Sequence, residues 1–293
     1  MMQIRHVARV LKNIPTIEGA GVHLKRVFGN HQIPSFDPFL LMDDFHARQI
    51  EEYAAGFPWH PHRGIETITY MLHGQVEHKD SLGHHGIISA GEVQWMTAGS
   101  GIIHQEMPQG EADGTLWGLQ LWANLPSSHK MMAPRYQEIS RATIPELELT
   151  DGVRIKIICG EVNGARGPVR DIIIDPQYLD VSVPADRLFV HPVSKGHTVF
   201  VYVIEGQARF GAEKKPVATD HLALFADGAA VQVQTESHPV HFLLIAGRPI
   251  GEPVAWYGPI VMNTQAELQN AFDEYRNGTF LQHRHDERPV HTA

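Results

Sequence analysis

One cysteine, Cys159, stands among 293 residues, so no disulfide can form within the chain. A lone cysteine in an apolar run such as "RIKIICG" reads as a small buried hydrophobe. Long hydrophobic runs are also missing: "HFLLIAG" is far too short to cross a bilayer. The start, "MMQIRHVARVLKN", lacks the apolar region and small-residue cleavage site of a secretory signal and reads instead as a first strand. A cytoplasmic protein with no membrane attachment is expected. Positive charge is in deficit, with 24 Lys and Arg against 33 Asp and Glu and a net charge of -9. That balance offers no electrostatic footprint for phosphate backbones, so direct nucleic-acid binding is not expected. No glycine-rich phosphate loop sits between a strand and a helix.

Helical patterns are scarce as well. A single one is readable, in "NTQAELQNAFDEYRNG", where Thr264 and Glu267 form a capping box and Leu268, Ala271, Phe272 and Tyr275 share a face. Asn277-Gly278 gives it a stop, and the tail after Phe280, including "HRH" at 283–285, is polar. Between residues 66 and 247 the chain consists of short β-branched and aromatic runs broken by Gly, Pro and Asp, among them "ETITYML", "EVQWMT", "LWGLQLWANL", "TVFVYVIEG" and "PVHFLLIAG". This pattern predicts an all-β sandwich or barrel. Apolar residues at 43% and charged residues at 19% supply a real core, and the length suits two domains.

A weak internal repeat supports that division. "HPHRGIETITYMLHGQV" at 60–76 lies on "HPVSKGHTVFVYVIEGQA" at 191–208 with one residue inserted. Two similar β-barrels in tandem are therefore expected, over residues 1–135 and 136–293, with the short helix at the C-terminal end. The copies differ where chemistry would sit. The first carries His60-x-His62; the second has Val193 in place of the second histidine.

Histidine is the residue in excess: there are 20, and twelve precede residue 135. In a strand, positions i and i+2 face the same way, so His60 and His62 project together. The same spacing recurs at His104 and Glu106 in "GIIHQEM". Two such pairs on neighbouring strands can converge on one cation, as three imidazoles and a carboxylate. That donor set suits Fe(II), Mn, Co, Ni, Cu or Zn and leaves coordination positions open. Glu66, four residues after His62, is on the same face if the strand is regular. It is then a further ligand, a partner to a ligand, or an acid/base group beside the metal. His84-His85 falls in a glycine-flanked turn, and Trp95, Trp117 and Trp122 read as core, with stacking on a planar ligand open to one at a barrel mouth.

Five segments, "FDPFLLMDDF" (36–45), "HPHRGIETITYML" (60–72), "HKDSLGHHGIISAGEVQWMTAGSGIIHQEMP" (78–108), "GLQLWANLPSSHKMMAPRYQEI" (118–139) and "PVAWYGPIVMNTQAEL" (253–268), resemble the pirin family, a two-barrel branch of the cupin superfamily. The resemblance spans most of the chain. One turn departs from it: a Pro-Gly-Asp common in the family reads Ala90-Gly91-Glu92 here, and His85 occupies a place often held by Thr. The resemblance implies two jelly-roll-like cupin barrels. It also implies one metal ion, iron above the others, held in the first barrel by residues corresponding to His60, His62, His104 and Glu106, and a second barrel without ligands. For activity it implies a quercetin 2,3-dioxygenase, which opens a flavonol ring with O₂ and releases carbon monoxide, with Glu106 or Glu66 taking the substrate proton. Its alternative is a non-enzymatic, iron-dependent partner of a transcription factor or metabolic enzyme.

Overall fold

The computed structural model describes residues 2–283; Met1 and residues 284–293, including the second histidine of "HRH", lie outside the described residues. Alternation of apolar and polar residues organises the first barrel. Its larger sheet runs, strand beside strand, through Arg135–Ile139, Val93–Thr97, Ile65–His73, Leu116–Asn124, Phe39–Ala47, Val22–Phe28 and Ile14–Glu18. A smaller sheet of Phe57–His62, Ile102–Gln109, Gln75–Asp80 and His85–Ser89 closes over it. All pairings within both sheets are antiparallel.

Strand Ile65–His73 shows how one sheet serves two cores. Ile68 and Tyr70 join Trp95 and Leu121 against Tyr178, Phe200 and Leu243 of the second barrel. Thr69 and Met71, at the intervening positions, face the interior of the first, where Met71 packs with Val76 and Leu116. Several polar groups buried between the barrels are paired. Tyr70 donates to Asp180 at 2.6 Å, Tyr202 to Asp44 Oδ2 at 2.6 Å, and the Trp117 indole to Asp44 Oδ1 at 3.0 Å.

The second barrel is closed by Thr198–Phe210, which pairs along its length with His221–Phe225, Val240–Gly247, Lys215–Ala218 and Ala230–Gln234. Its interior is filled with Val, Ile, Leu and Phe, among them Val181, Val201, Phe210 and Phe242. His191, which the repeat aligns with His60, is buried there and faces Gln177 at 3.2 Å. Burial pushes its pKa down to about 4, so it is a neutral core imidazole.

The division expected at residue 135 falls inside Arg135–Ile139, a strand of the first barrel, and barrel membership crosses it at both ends of the chain as well. Val7–Lys12 adds to the second barrel, beside His221–Phe225. Arg5 anchors it there, donating to the carbonyls of Ser194, His197 and Ala226. In return the chain after Gly247 leaves the second barrel and straps the first. The hairpin Ala255–Tyr257 with Ile260–Met262 bridges to Arg63. The helix Gln265–Arg276 follows, with the expected Thr264–Glu267 capping box. Arg63 donates to the Phe280 carbonyl at 2.7 Å and pairs with Glu274 at 2.7 Å. Buried Lys130 ties Gly64, Asn124 and Val261 together at 2.9, 2.7 and 3.0 Å. No helix among the described residues is long and apolar enough to cross a membrane.

A candidate metal centre

His60 lies directly opposite His104 in the smaller sheet, and His62 is one same-face step along the strand. A bulge falls between His104 and Glu106, where three residues of the facing strand span two, so that Glu106 pairs with Phe57. On its other side Glu106 pairs with His78. Within the barrel His60 Nε2 is 3.0 Å from both His62 Nε2 and His104 Nε2. The three rings meet at steep angles, with centroids 4.5 to 5.0 Å apart.

The state of these rings follows from their surroundings. His60 Nδ1 is 2.8 Å from the Pro58 carbonyl, which only accepts, so Nδ1 carries a hydrogen and Nε2 is the nitrogen turned toward the other two rings. His62 and His104 are almost fully buried. Desolvation, followed by repulsion from the neighbouring imidazoles, holds both pKa values well below the ordinary histidine value. The three rings turn their Nε2 atoms toward a common point. Their ligand atoms all lie within 4.8 Å of one another, a group able to hold a metal ion. The Nδ1 atoms of His62 and His104 are buried without a hydrogen-bond partner in the protein.

Glu106 enters the same chamber but is not part of that tight group: its Oε2 is 4.0 Å from His104 Nε2. Both of its oxygens accept from Gln120 at 3.3 Å.

Glu66 is placed elsewhere, against expectation. The strand containing His62 ends at that residue, and a new one starts at Ile65 after a turn at Gly64, whose φ is +78°. The turn resets the alternation, so the even step from His62 to Glu66 does not preserve the face. Glu66 is buried in the wall toward the second barrel, where it accepts from Thr97 Oγ1 at 2.7 Å. Burial raises its pKa, with Thr97, Trp95 and Arg135 acting the other way. Its side-chain hydrogen bond goes to Thr97, not to the histidines, and it is not in their close group.

A cavity of about 840 Å³ opens onto His60, His62 and Glu106. That volume lies within the ~300–1,000 Å³ of ordinary small-molecule sites. Phe57, Trp122 and Trp256 give it aromatic walls. At another side Arg26 binds Asp43 through two hydrogen bonds of 2.7 and 2.8 Å and reaches Glu18 at 3.0 Å. Trp122, read as core, is thus a wall of the cavity, its ring edge-on to His62 at 5.1 Å. Trp95 and Trp117 are core. His84 is bound by Asp80 at 2.8 Å, away from the cluster.

Sequence reasoning missed three contributors. Gln120 announces itself only as a polar residue amid "LWGLQLW"; Arg26 and Trp256 come from segments whose approach to the cavity no local pattern encodes.

Comparison with known proteins agrees with this architecture. The family model described as Pirin matches residues 21–123, and that described as Pirin C-terminal cupin domain matches 178–281. The chain is 42% identical over 280 residues to a pirin-like protein of Caulobacter vibrioides, covering 95% of this chain and all of that one. It is 39% identical over 283 residues to a Pseudomonas aeruginosa protein named "Putative quercetin 2,3-dioxygenase", covering 95% and 99%. A crystal structure of quercetin 2,3-dioxygenase from Acinetobacter baumannii superposes with a TM-score of 0.85 at 31% identity, over 94% of this chain and 98% of that one.

Proposed function

The chain belongs to the pirin family, and on that premise we propose that it is a metal-dependent dioxygenase of the quercetin 2,3-dioxygenase type, opening the ring of a flavonol with O₂. The observation that carries this reading is the cavity of about 840 Å³ with histidine lone pairs and a carboxylate on one side and aromatic walls around it. A flavonol is flat, aromatic and edged with hydroxyls, and the cavity offers a matching surface for each property. The similarity to a protein and a structure named for this activity supports the same choice.

In this reading His60, His62, His104 and Glu106 hold one divalent ion, with iron the expected metal and Mn, Co, Ni, Cu or Zn compatible with the donors. The bound ion supplies a Lewis acid and an anchor for the substrate's hydroxylate. The protein's own groups do the rest. Glu106 accepts the proton of the hydroxyl that enters beside it, since its carboxylate oxygens are the acceptors that share the chamber with the histidines. Trp122, Trp256 and Phe57 clamp the rings and keep bulk water from the reacting face. Glu18 and Asp43, fixed by Arg26, offer acceptors to hydroxyls at the far end.

The test is purification under argon, loading with each metal in turn, and mixing with quercetin in air. Loss of the flavonol absorbance together with carbon monoxide release is expected. Stable absorbance with the iron, nickel, cobalt, manganese and copper forms alike would sink the enzymatic reading.

A further inference from the structure

Glu106 is held differently from the three histidines beside it. Its neighbour Gln120 has an amide whose two ends are distinguishable only by what they touch, and here one contact decides the matter. The Trp122 Nε1–H lies 3.0 Å from Gln120 Oε1. An indole nitrogen only donates, so the amide oxygen must face Trp122 and the NH₂ must face the opposite way. That NH₂ sits 3.3 Å from each oxygen of Glu106 and 3.3 Å from Thr69 Oγ1. The donor therefore straddles the carboxylate, leaving the other lone pairs of both oxygens open. Trp122 is fixed in its turn, with its ring edge-on to His62 at 5.1 Å.

We propose that Gln120 is the positioning residue for Glu106, and that Trp122 acts on the centre through it by setting the orientation of the amide. The straddling contact holds Oε2 toward the point where the three histidine Nε2 atoms converge, 4.0 Å from that of His104. Without it the carboxylate is free to swing into the open cavity, where water satisfies it. At 3.3 Å these bonds are long, so the clamp aims the carboxylate while letting it close on an ion or move to meet a substrate proton. The inference rests on the reading of His60, His62, His104 and Glu106 as metal-holding.

The experiment uses the full-length chain and Co(II), whose visible absorption reports the number and geometry of its ligands. Gln120→Met keeps the bulk and removes the donor. Trp122→Phe keeps a ring against His62 and removes only the N–H that orients the amide. Gln120→Met should weaken Co(II) binding by about tenfold in calorimetry and alter the visible band. Trp122→Phe should shift both in the same direction by less, and the double variant should match Gln120→Met alone, because Trp122 works through Gln120. Wild-type affinity and spectrum in Gln120→Met, or losses that add in the double variant, overturn the proposal. Should Gln120→Met fail to fold, Trp122→Phe decides alone: a spectrum identical to the wild type overturns the proposal, a shifted band supports it. His104→Ala separates the two readings. If it retains one tightly bound Co(II), the metal assignment itself falls; if it loses the ion while Gln120→Met behaves as wild type, only the role of Gln120 falls.

Discussion

Among single side chains, neutrality is what qualifies His62 and His104 as ligands. A histidine of ordinary pKa is half protonated near pH 6.5, and the protonated ring cannot ligate. His62 and His104 are held well below that value by burial first and then by the neighbouring imidazoles, so they remain unprotonated as pH falls through 6.5. Metal retained after dialysis should therefore persist below pH 6.5, and metal analysis of samples dialysed at stepped pH values checks this; release centred at or above 6.5 would contradict it. His62→Ala and His104→Ala, each removing one of three converging donors, should leave the chain without stoichiometric metal, whereas Glu66→Gln should keep it. The outcome for Glu66 bears on what sequence alone could reach. Alternation along a strand put His60 with His62, and His104 with Glu106, on one face because each pair lies within one unbroken strand, and the three histidines do come together while Glu106 stands 4.0 Å off. It failed for Glu66 because Gly64 interposes a turn that resets the count. A glycine between two runs is the available warning, although its sign of φ is invisible in sequence.

The strand pattern and the terminal helix were readable because each is a local property: period-two alternation, a capping box, a glycine stop. Which barrel an element joins is not local. The first strand pairs with residues more than two hundred positions away, and the C-terminal hairpin returns to Arg63. Gly64 is where that return is tightest. A Cβ there would sit 1.9 Å from the Val261 carbonyl oxygen, and the backbone is already at a φ of +78°. Gly64→Ala must relieve both the clash and the left-handed conformation, at a combined cost of roughly 3 kcal/mol. The expected result is a lower melting temperature together with earlier proteolytic cleavage in the segment 251–262, since the strap is the part free to move away. Lys130 makes the complementary case. It donates to Gly64, Asn124 and Val261, and burial lowers its pKa to about 8, leaving it charged at neutral pH. Lys130→Met leaves three acceptors without their donor and should loosen the same segment by about 2–4 kcal/mol, measured by denaturant unfolding and the same proteolysis.

For the molecule as a whole, the seam between barrels carries a carboxyl group whose protonation is tied to folding. Asp44 is buried at that seam, accepting from Trp117 and Tyr202. Desolvation raises its pKa from 3.8 to about 6 in spite of those two bonds and Lys25 nearby. The folded protein therefore binds this proton more tightly than the unfolded chain. Between pH 4 and 6 the folded state holds more protons, so this group's contribution is fully present below about pH 4 and is lost as pH rises through 6. The full change is on the order of 3 kcal/mol. Asp180, across the same seam, works in the opposite sense. Its burial is outweighed by the bond to His241 and by Lys156 and Tyr70, its pKa is lowered, and its contribution is lost only as pH falls below 3.8. The two groups are thus separable by pH window. Asp44→Asn, which keeps an acceptor but cannot ionise, should flatten the decline in melting temperature between pH 4 and 6 while leaving the loss below pH 3.8 intact. An unchanged slope in that upper window would show that Asp44 ionises in the folded protein no differently from an exposed carboxyl, and that the barrels meet across a wetter seam than its burial indicates.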